Sequence, residues 1–425
     1  MRQALQEERA RVDQITDICR HVGLAEDAIR ELIVSGQSVD AARKAAMDHL
    51  RAGNQPIGPG TGGSLQVGLE AGEKFRAAAL DGLLIRSGHQ VDQPAPGATD
   101  FRGMRLLDIV RESLELSGTR TRGMDPRALA GRALTPASTS DFPDLLAALV
   151  NKTLLASYTE APATWRPLVA VSDASDFKQK HAVKLSSVPD LLPMNEHGEY
   201  RTAELTDSRE SYAVTTRGRI IRLTRQMIIN DDLGGFTRIA RGFGFAARRW
   251  ENQTVYGLIT GGALMSDGLP LFDAGHNNTL QAAALGADSL SDARAQMRQQ
   301  VGMAGELLDV TPQFLVAGAD LETTADIILR SASLPILNMS SGAHNPWAGK
   351  LTPITDPLIA SPIAWYLFAS PSQYPVIEVA WLMGDQQPFV DDEVDFASDS
   401  LGVKVRHDFG AGIVDWVGAV FNPGA

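Results

Sequence analysis

Few places in this 425-residue sequence carry residue types whose spacing suggests chemistry. The most suggestive is Asp273-Ala274-Gly275-His276. An imidazole beside a carboxylate is half of a base-activated nucleophile. The segment follows Leu269-Pro270-Leu271-Phe272 and runs into Asn277-Asn278. Gly and Asn supply tight-turn backbone, so a polar turn is the preferred reading of Asp273 and His276. Asp391-Asp392-Glu393 with Asp395 offers oxygens for a hard cation, although a solvated acidic turn is preferred. Asp408-Phe409-Gly410 spells the metal tripeptide of protein kinases. The rest of that signature is missing, so a strand end entering a turn is expected there.

The common catalytic motifs are absent. There is no phosphate loop, no Gly-x-Gly-x-x-Gly opening a helix after a strand, no Gly-x-Ser-x-Gly elbow and no His-Glu-x-x-His. Gly60-Thr61-Gly62-Gly63 lies in a Gly/Pro-rich linker and matches none of them. A single cysteine, Cys19, excludes an internal disulfide and a multi-cysteine zinc site. It follows Ile15 and Ile18 in an apolar helical pattern and reads as a small core residue. No catalytic, cofactor-binding or metal-ligating residue is therefore assigned, and the chain is not expected to be an enzyme.

The elements that would position such residues divide the chain. Residues 1–50 show helical spacing at Leu5, Val12, Ile15, Ile18 and Val22, then at Ile29, Leu32 and Ile33, then from Ser38 to Leu50. Residues 51–64 read as a linker, and 88–103 as a loose stretch. A helix is predicted near 101–116, and the Gly/Pro/Ser-rich 118–139 is expected to be mobile. Leu145, Leu146, Leu149 and Val150 suggest another helix. Between 165 and 225 the pattern is extended: Tyr212, Val214 and Thr216 alternate, as do Ile221 and Leu223. Residues 177–184 alternate too, ahead of polar turns, and predict a long polar hairpin lying on another surface. A long helix is predicted over 236–259, with Phe236, Ile239, Ala240, Phe243, Ala247, Trp250 and Thr254 on one face. A helix capped at Ser289 and running to Ala304, a strand at 313–317 and a helix at 322–330 follow. The end is β-rich: a strand at 376–382, another at 403–409, and a return strand at 413–418 across Gly410 and Gly412.

Composition bounds the rest. Apolar residues make up 44%, charged residues only 21%, and the net charge is −12. An acidic chain without a Lys/Arg block is a poor candidate for tight DNA binding, since phosphates are gripped by cations that displace counterions. It is compatible with a wall that encloses DNA without gripping it. No stretch approaches the ~20 apolar residues of a membrane span. The charged start, Met1 to Glu8, lacks the apolar core of a signal peptide, so no membrane association is expected.

Several of these features occur together in one family. Leu269-Pro270-Leu271-Phe272-Asp273-Ala274-Gly275-His276-Asn277-Asn278 resembles a segment of tailed-phage major capsid proteins, those of the Mu-like major head subunit often encoded as a fusion to a prohead protease. Arg248-Arg249-Trp250-Glu251-Asn252-Gln253-Thr254-Val255-Tyr256 and the tail Gly402 to Gly410 are similar to the same family. The likeness covers roughly residues 140–425.

The resemblance implies an α+β, HK97-like capsid fold. Its parts would be a scaffolding-like helical segment over 1–140, removed on maturation, and an N-terminal arm over 141–166. An E-loop would follow over 167–218, then a P-domain with its spine helix over 219–299. Most of the A-domain would occupy 300–380, and return strands of the P-domain 381–425. It implies an icosahedral shell of pentamers and hexamers built in the bacterial host cytoplasm. The partners would be the chain itself, the prohead protease, the portal protein and packaged double-stranded DNA bound without sequence specificity. No Ser/His protease is readable before residue 140, so a fused or separate origin of that activity stays open. Some members of this fold cross-link an E-loop lysine. Lys178, Lys180 and Lys184 sit in the expected loop, and solvated lysines that discourage edge pairing are the preferred reading. An encapsulin-like compartment and a hydrolase using Asp273 and His276 are the alternatives.

Overall fold

The computed structural model describes residues 71–134, 142–184, 209–302, 305–331, 345–395 and 400–425, with Val12, Thr16, Ile33 and Ser35 upstream. Val12, Thr16 and Ile33 are helical. The other helices expected in 1–50, the linker at 51–64, Cys19 and the tip of the hairpin at 185–208 lie outside the described residues. The chain divides into two units, Met1–Gly68 and Leu69–Ala425.

The second unit opens with four helices: α1 (Ala71–Arg86), α2 (Ala98–Arg102), α3 (Leu106–Leu116) and α4 (Pro126–Ala133). In α3, Leu106, Ile109, Val110 and Leu114 recur at helical spacing and are buried. The expectation of a mobile stretch over 118–139 is corrected by α4. Pro126 occupies its first turn, where a missing N–H costs nothing, and the Asp125 carboxylate accepts a hydrogen bond from Ala128 N–H at 2.6 Å. Leu129, Ala130 and Ala133 are buried.

The helix suggested by Leu145, Leu146, Leu149 and Val150 is present. Residues Phe142–Glu160 form a 19-residue helix, α5, with apolar residues on most sides and eleven residues buried. A helix apolar nearly all round seeks a core on several sides. It shares one with α1, α3, α4 and the sheet, in a cluster that includes Leu83, Val110, Leu129, Leu149, Phe236 and Val403.

Beyond it the chain lays down β1 (Val169–Ala174), β2 (Lys180–Val183), β3 (Arg209–Tyr212) and β4 (Thr215–Thr224). Next come a short helix, α6 (Arg225–Ile229), and a 28-residue helix, α7 (Leu233–Thr260). Asp232 caps α7 by accepting from Gly235 N–H at 2.9 Å. Then follow α8 (Ala287–Arg298), β5 (Pro312–Ala317), α9 (Glu322–Arg330), β6 (Thr352–Thr355), β7 (Trp365–Ala369) and β8 (Ile377–Leu382). The last strands are β9 (Phe389–Asp395), β10 (Ser400–Ile413) and β11 (Ala419–Asn422). The α+β class is therefore as expected. Ser289 is not the cap of α8. It sits one turn in, where its hydroxyl accepts from Gly286 N–H at 3.0 Å.

One sheet runs β1-β8-β10-β4, with β9 also paired to β10. A second runs β11-β7-β5-β6, and β2 pairs β3 in a separate hairpin. Two expectations fail at the C-terminus. Asp408-Phe409-Gly410 lies within β10, which continues through Gly410 and Gly412 instead of turning there. A Cβ on Gly410 would come 2.6 Å from the Ala213 carbonyl oxygen, and one on Gly412 2.5 Å from Tyr212 Cβ. These glycines serve close approach to the hairpin. The return strand expected at 413–418 does not form: β10 ends at Ile413, and the last strand, β11 at 419–422, pairs with β7 in the second sheet. Likewise α8 packs in the core of the second sheet, with Leu315, Leu367 and Val420.

The crossing of α5 and α7 sets the position of everything that follows. It is close because Gly244 faces α5: a Cβ there would sit 2.1 Å from Ser157 Oγ and 2.4 Å from the Leu154 carbonyl oxygen. Gly244→Ala should therefore force the helices apart and destabilise the subunit by about 1–3 kcal/mol. Urea unfolding of the variant beside the parent measures this, and an unchanged midpoint would refute the packing argument.

Candidate functional site

Charge is found where α7 is most deeply buried. Arg248 and Glu251, three residues apart, are 7% and 0% exposed and bridge at 2.5 Å. The other carboxylate oxygen of Glu251 accepts from Tyr158 Oη on α5 at 2.6 Å and His407 Nε2 on β10 at 2.8 Å. Trp381 Nε1 on β8 approaches it at 3.4 Å. The Arg248 guanidinium lies 3.9 Å from the Tyr158 ring centroid. Burial pushes the Glu251 carboxyl up. The hydrogen bond from His407, the charge of Arg248 and the hydrogen bond from Tyr158 outweigh it and hold the group below the ordinary carboxylate range. Burial, and then the Glu251 charge, push the Tyr158 phenol up, so it stays a donor. Both oxygens of Glu251 are committed to donors, and a general base needs a lone pair to offer. The group acts as a junction of α5, α7, β8 and β10.

A second buried charge lies under the hairpin. Lys184 follows β2 and is 1% exposed; its ammonium is 2.9 Å from Glu210 on β3. Glu210 also accepts from Ser266 Oγ at 2.7 Å and Ser266 N–H at 3.0 Å. The Lys184 ammonium sits 4.1 Å from the Trp416 ring centroid, and the His276 ring stacks on Trp416 at 4.3 Å. This fastens the base of the hairpin to the loop after α7 and to the turn between β10 and β11. A two-stranded hairpin cannot hold itself in water, and the buried pair supplies the anchorage.

The residues singled out by sequence fall as follows. Asp273 and His276 form no dyad. Asp273 accepts from Gly275 N–H at 2.7 Å, a turn bond, and His276 pairs instead with Asp267 through Nε2 at 2.9 Å. His276 Nδ1 faces the Leu271 carbonyl oxygen at 3.2 Å, so both ring nitrogens already face oxygens of the fold and neither is open to a nucleophile. Burial raises the Asp267 carboxyl, but Leu269 N–H, His276 and the nearby Lys184 charge hold it below its ordinary value. The Asn278 side chain closes the turn, accepting from Asp273 N–H and donating to the Leu271 carbonyl. Asp391, Asp392, Glu393 and Asp395 lie along β9, not in a turn, and Asp391 pairs with Lys404 at 2.7 Å. Among the described residues no group of three or more His, Cys, Asp or Glu side chains could hold a metal. The three lysines separate. Lys178 is exposed and meets Asp176 at 3.5 Å. Lys180 pairs with Glu378 at 2.9 Å, and Lys184 is buried. The solvated reading fails for Lys184, because Glu210 and Trp416 replace water around its charge.

The family model for phage capsid protein matches residues 208–422, just over half of the 425 residues. The chain belongs to the phage capsid protein family. No curated protein is similar enough to match. Among solved structures, the capsid of cyanophage P-SCSP1u is 9% identical over 62% of this chain and 89% of that one, with a TM-score of 0.42. The procapsid of bacteriophage JBD30 is 16% identical over 66% and 75%, at 0.36. The virus-like particle from Pyrococcus furiosus is 12% identical over 64% and 97%, at 0.39.

In this capsid protein the matched region starts at β3, the second strand of the hairpin, and takes in α7, the second sheet and all of the first sheet except β1. Sequence reading missed Arg248, Glu251 and Tyr158 as a unit. The signal was present: Phe236, Ala240, Gly244, Arg248 and Glu251 fall on one side of α7, so a charged pair interrupts an apolar face. The partners Tyr158 and His407 lie far off in sequence and are not readable from it.

Two outcomes follow from these charges. Because Glu251's carboxyl is held below its unfolded value, its stabilisation is complete above about pH 4.3 and is lost as pH falls through the depressed folded value. Glu251→Gln should cost about 3–5 kcal/mol at pH 7 by stranding Arg248. The gap to the parent should close below about pH 4.3, as followed by urea unfolding at stepped pH. A gap that does not narrow in acid would refute this origin. Lys184→Ala should strand Glu210 and loosen the hairpin. Hydrogen exchange over 180–183 and 209–212 should accelerate at least about tenfold while the centre of β10 keeps its protection.

Proposed function

We propose that this capsid protein is the major head subunit of a tailed bacteriophage or prophage, HK97-like in arrangement and of the Mu-like kind. Copies of it close into an icosahedral shell of pentamers and hexamers around double-stranded DNA. The observation that carries this reading is the extent of the family match, from β3 to β11. The hairpin β2–β3 pairs only with itself among the described residues, a form suited to reaching a neighbour. Such shared surface stabilises a subunit by mass action with its neighbours. The reading is of a structural protein and not an enzyme. Its support is that Asp273 and His276 are consumed by turn and packing contacts. No helix among the described residues is long and apolar enough to cross a membrane. The partners in this reading are the prohead protease, the portal protein and the packaged DNA, and the place of assembly is the bacterial host cytoplasm.

Processing of the N-terminal segment takes a different boundary from the one the sequence suggested. Helices α1, α3 and α4 supply eleven of the 27 buried residues of the core they share with α5, α7, β4 and β10. At about 1.5–3 kcal/mol for each large apolar side chain, their removal exceeds a typical subunit stability of about 5–15 kcal/mol. A cut that spares this core falls before Ala71.

Negative-stain electron microscopy of three chains tests both statements: the full chain, one starting at Leu69 and one starting at Asp141. The first two should give closed shells or rings of five or six subunits, and the third should be unfolded or insoluble. A uniform monomer or dimer from the full chain under all assembly conditions overturns the shell reading. A soluble, assembling chain from Asp141 overturns the boundary.

A further inference from the structure

The chain is acidic, yet its fold gathers arginine in one place. Arg217 and Arg219 are exposed on β4, opposite His407 and Val405 of β10. Since His407 reaches Glu251 of α7, that side of the sheet faces the long helix. Across the gap stands Arg249 of α7, exposed. The three arginines, with Trp250 and His407, line a groove of about 590 Å³. The Arg217 guanidinium lies 5.0 Å from the Trp250 ring centroid, which holds it in place. Arg238, also exposed, is eleven residues before Arg249 and prolongs the same line of α7 by three turns, about 16 Å. Among the described residues, none of these four arginines has a carboxylate at ion-pair distance. The buried acid next to the groove's Trp250, Glu251, is already committed to Arg248 and His407. In the groove wall His407 Nδ1 is buried and has no hydrogen-bond partner among the described residues.

We infer that this groove binds the phosphate backbone of nucleic acid without reading its sequence. Guanidinium forks match phosphate oxygens in pairs. A protein surface intersperses its charges, whereas a stripe of one sign about 16 Å long suits a polymer of one sign. The inference rests on the shell reading for its ligand, since the enclosed DNA is the polyanion at hand. It also explains how a chain of net charge −12 can hold a polyanion: the sign of the groove, not of the whole, decides.

The test is fluorescence anisotropy of a fluorescein-labelled 30-base-pair duplex against the full chain from 50 to 300 mM KCl, with two unrelated sequences. The variant R217Q/R219Q/R249Q is compared with the parent and with R298Q/R330Q, which alters paired arginines of α8 and α9. Parent and control should bind both sequences equally, with affinity falling steeply in salt. The triple variant should bind at least about tenfold more weakly at 50 mM, and its log–log salt slope should be shallower by about 3. Unfolding midpoints of all three chains check that each is folded, and Arg249→Gln alone gives a graded second reading. Absence of binding by the parent at 50 mM, or an unchanged slope in the triple variant, overturns the inference. Microscopy of the same samples separates the two readings. Shells without DNA binding sink the groove and leave the shell standing. DNA binding without shells does the reverse. Loss of shells in the triple variant alone assigns the arginines to a neighbouring acidic subunit and also overturns the inference.

Discussion

A carboxylate leaves water only if donors travel with it, and Glu251 is where four elements of this fold meet that demand. Its donors come from α5, α7, β8 and β10, so these elements cannot shift independently without leaving a charge unpaired. The junction requires α7 to run against α5, and Gly244, one turn before Arg248, removes the side chain that would hold the helices apart. It requires β10 to present His407 toward the helix, which fixes by strand alternation that Val403, Val405 and Phe409 point the same way into the cores. Apolar burial supplies most of the stabilisation, as in any domain. The charge network selects the register, because a one-residue slip of β10 would turn His407 away from Glu251.

What the sequence made legible follows the range of the interactions. Helix α9 and strand β5 were readable almost to the residue, because a short amphipathic period and an uninterrupted apolar run are local signals. Helix α7 was readable as an element but not in its buried face. Ile239 was expected inward and is 44% exposed, while Gly244, Arg248 and Glu251 were not expected there. Their burial depends on partners 90 to 156 residues away. Gly410 and Gly412 were taken as turn residues because glycine marks both turns and close contacts. Only the position of Tyr212 and Ala213 tells the two apart. At Asp273–His276 the turn chemistry of Gly275 and Asn277 was the better guide than the catalytic pattern. Asn277 has φ +50°, as a left-handed turn residue should.

The N-terminal boundary shows the same limit. Gly, Pro and Ser between 118 and 139 predict a loose chain, and they are also the residues that start and cap a short helix. Asp125 and Pro126 do so here. Whether such a segment is a tether or part of the body depends on whether its apolar residues find a core. Leu129, Ala130 and Ala133 find one beside α3 and α6. The Arg86–Asp231 bridge at 2.5 Å reinforces it, since Asp231 also accepts from Leu106 N–H at 2.8 Å. That carboxylate thus joins α1 and the start of α3 to the turn just before α7. Helices that composition places with a removable leader are, by their packing, part of the subunit that carries the shell surface.

Charge obeys the same logic of position over content. Counting Lys and Arg along the chain finds no basic block, because Arg217 and Arg219 lie on one strand and Arg238 and Arg249 stand eleven residues apart on a helix that follows it. Folding aligns β4 with α7 and turns four scattered residues into a stripe, while the acidic residues that outnumber them go elsewhere. Glu251 and Glu210 are buried against their own cations, and Asp391 and Asp309 are paired on other elements. Long-range attraction depends on the field at a surface, screened over about 8–10 Å at physiological salt, and not on the total. Within that distance of the groove its arginines set the local field, so a chain of acidic total charge can carry a cationic surface.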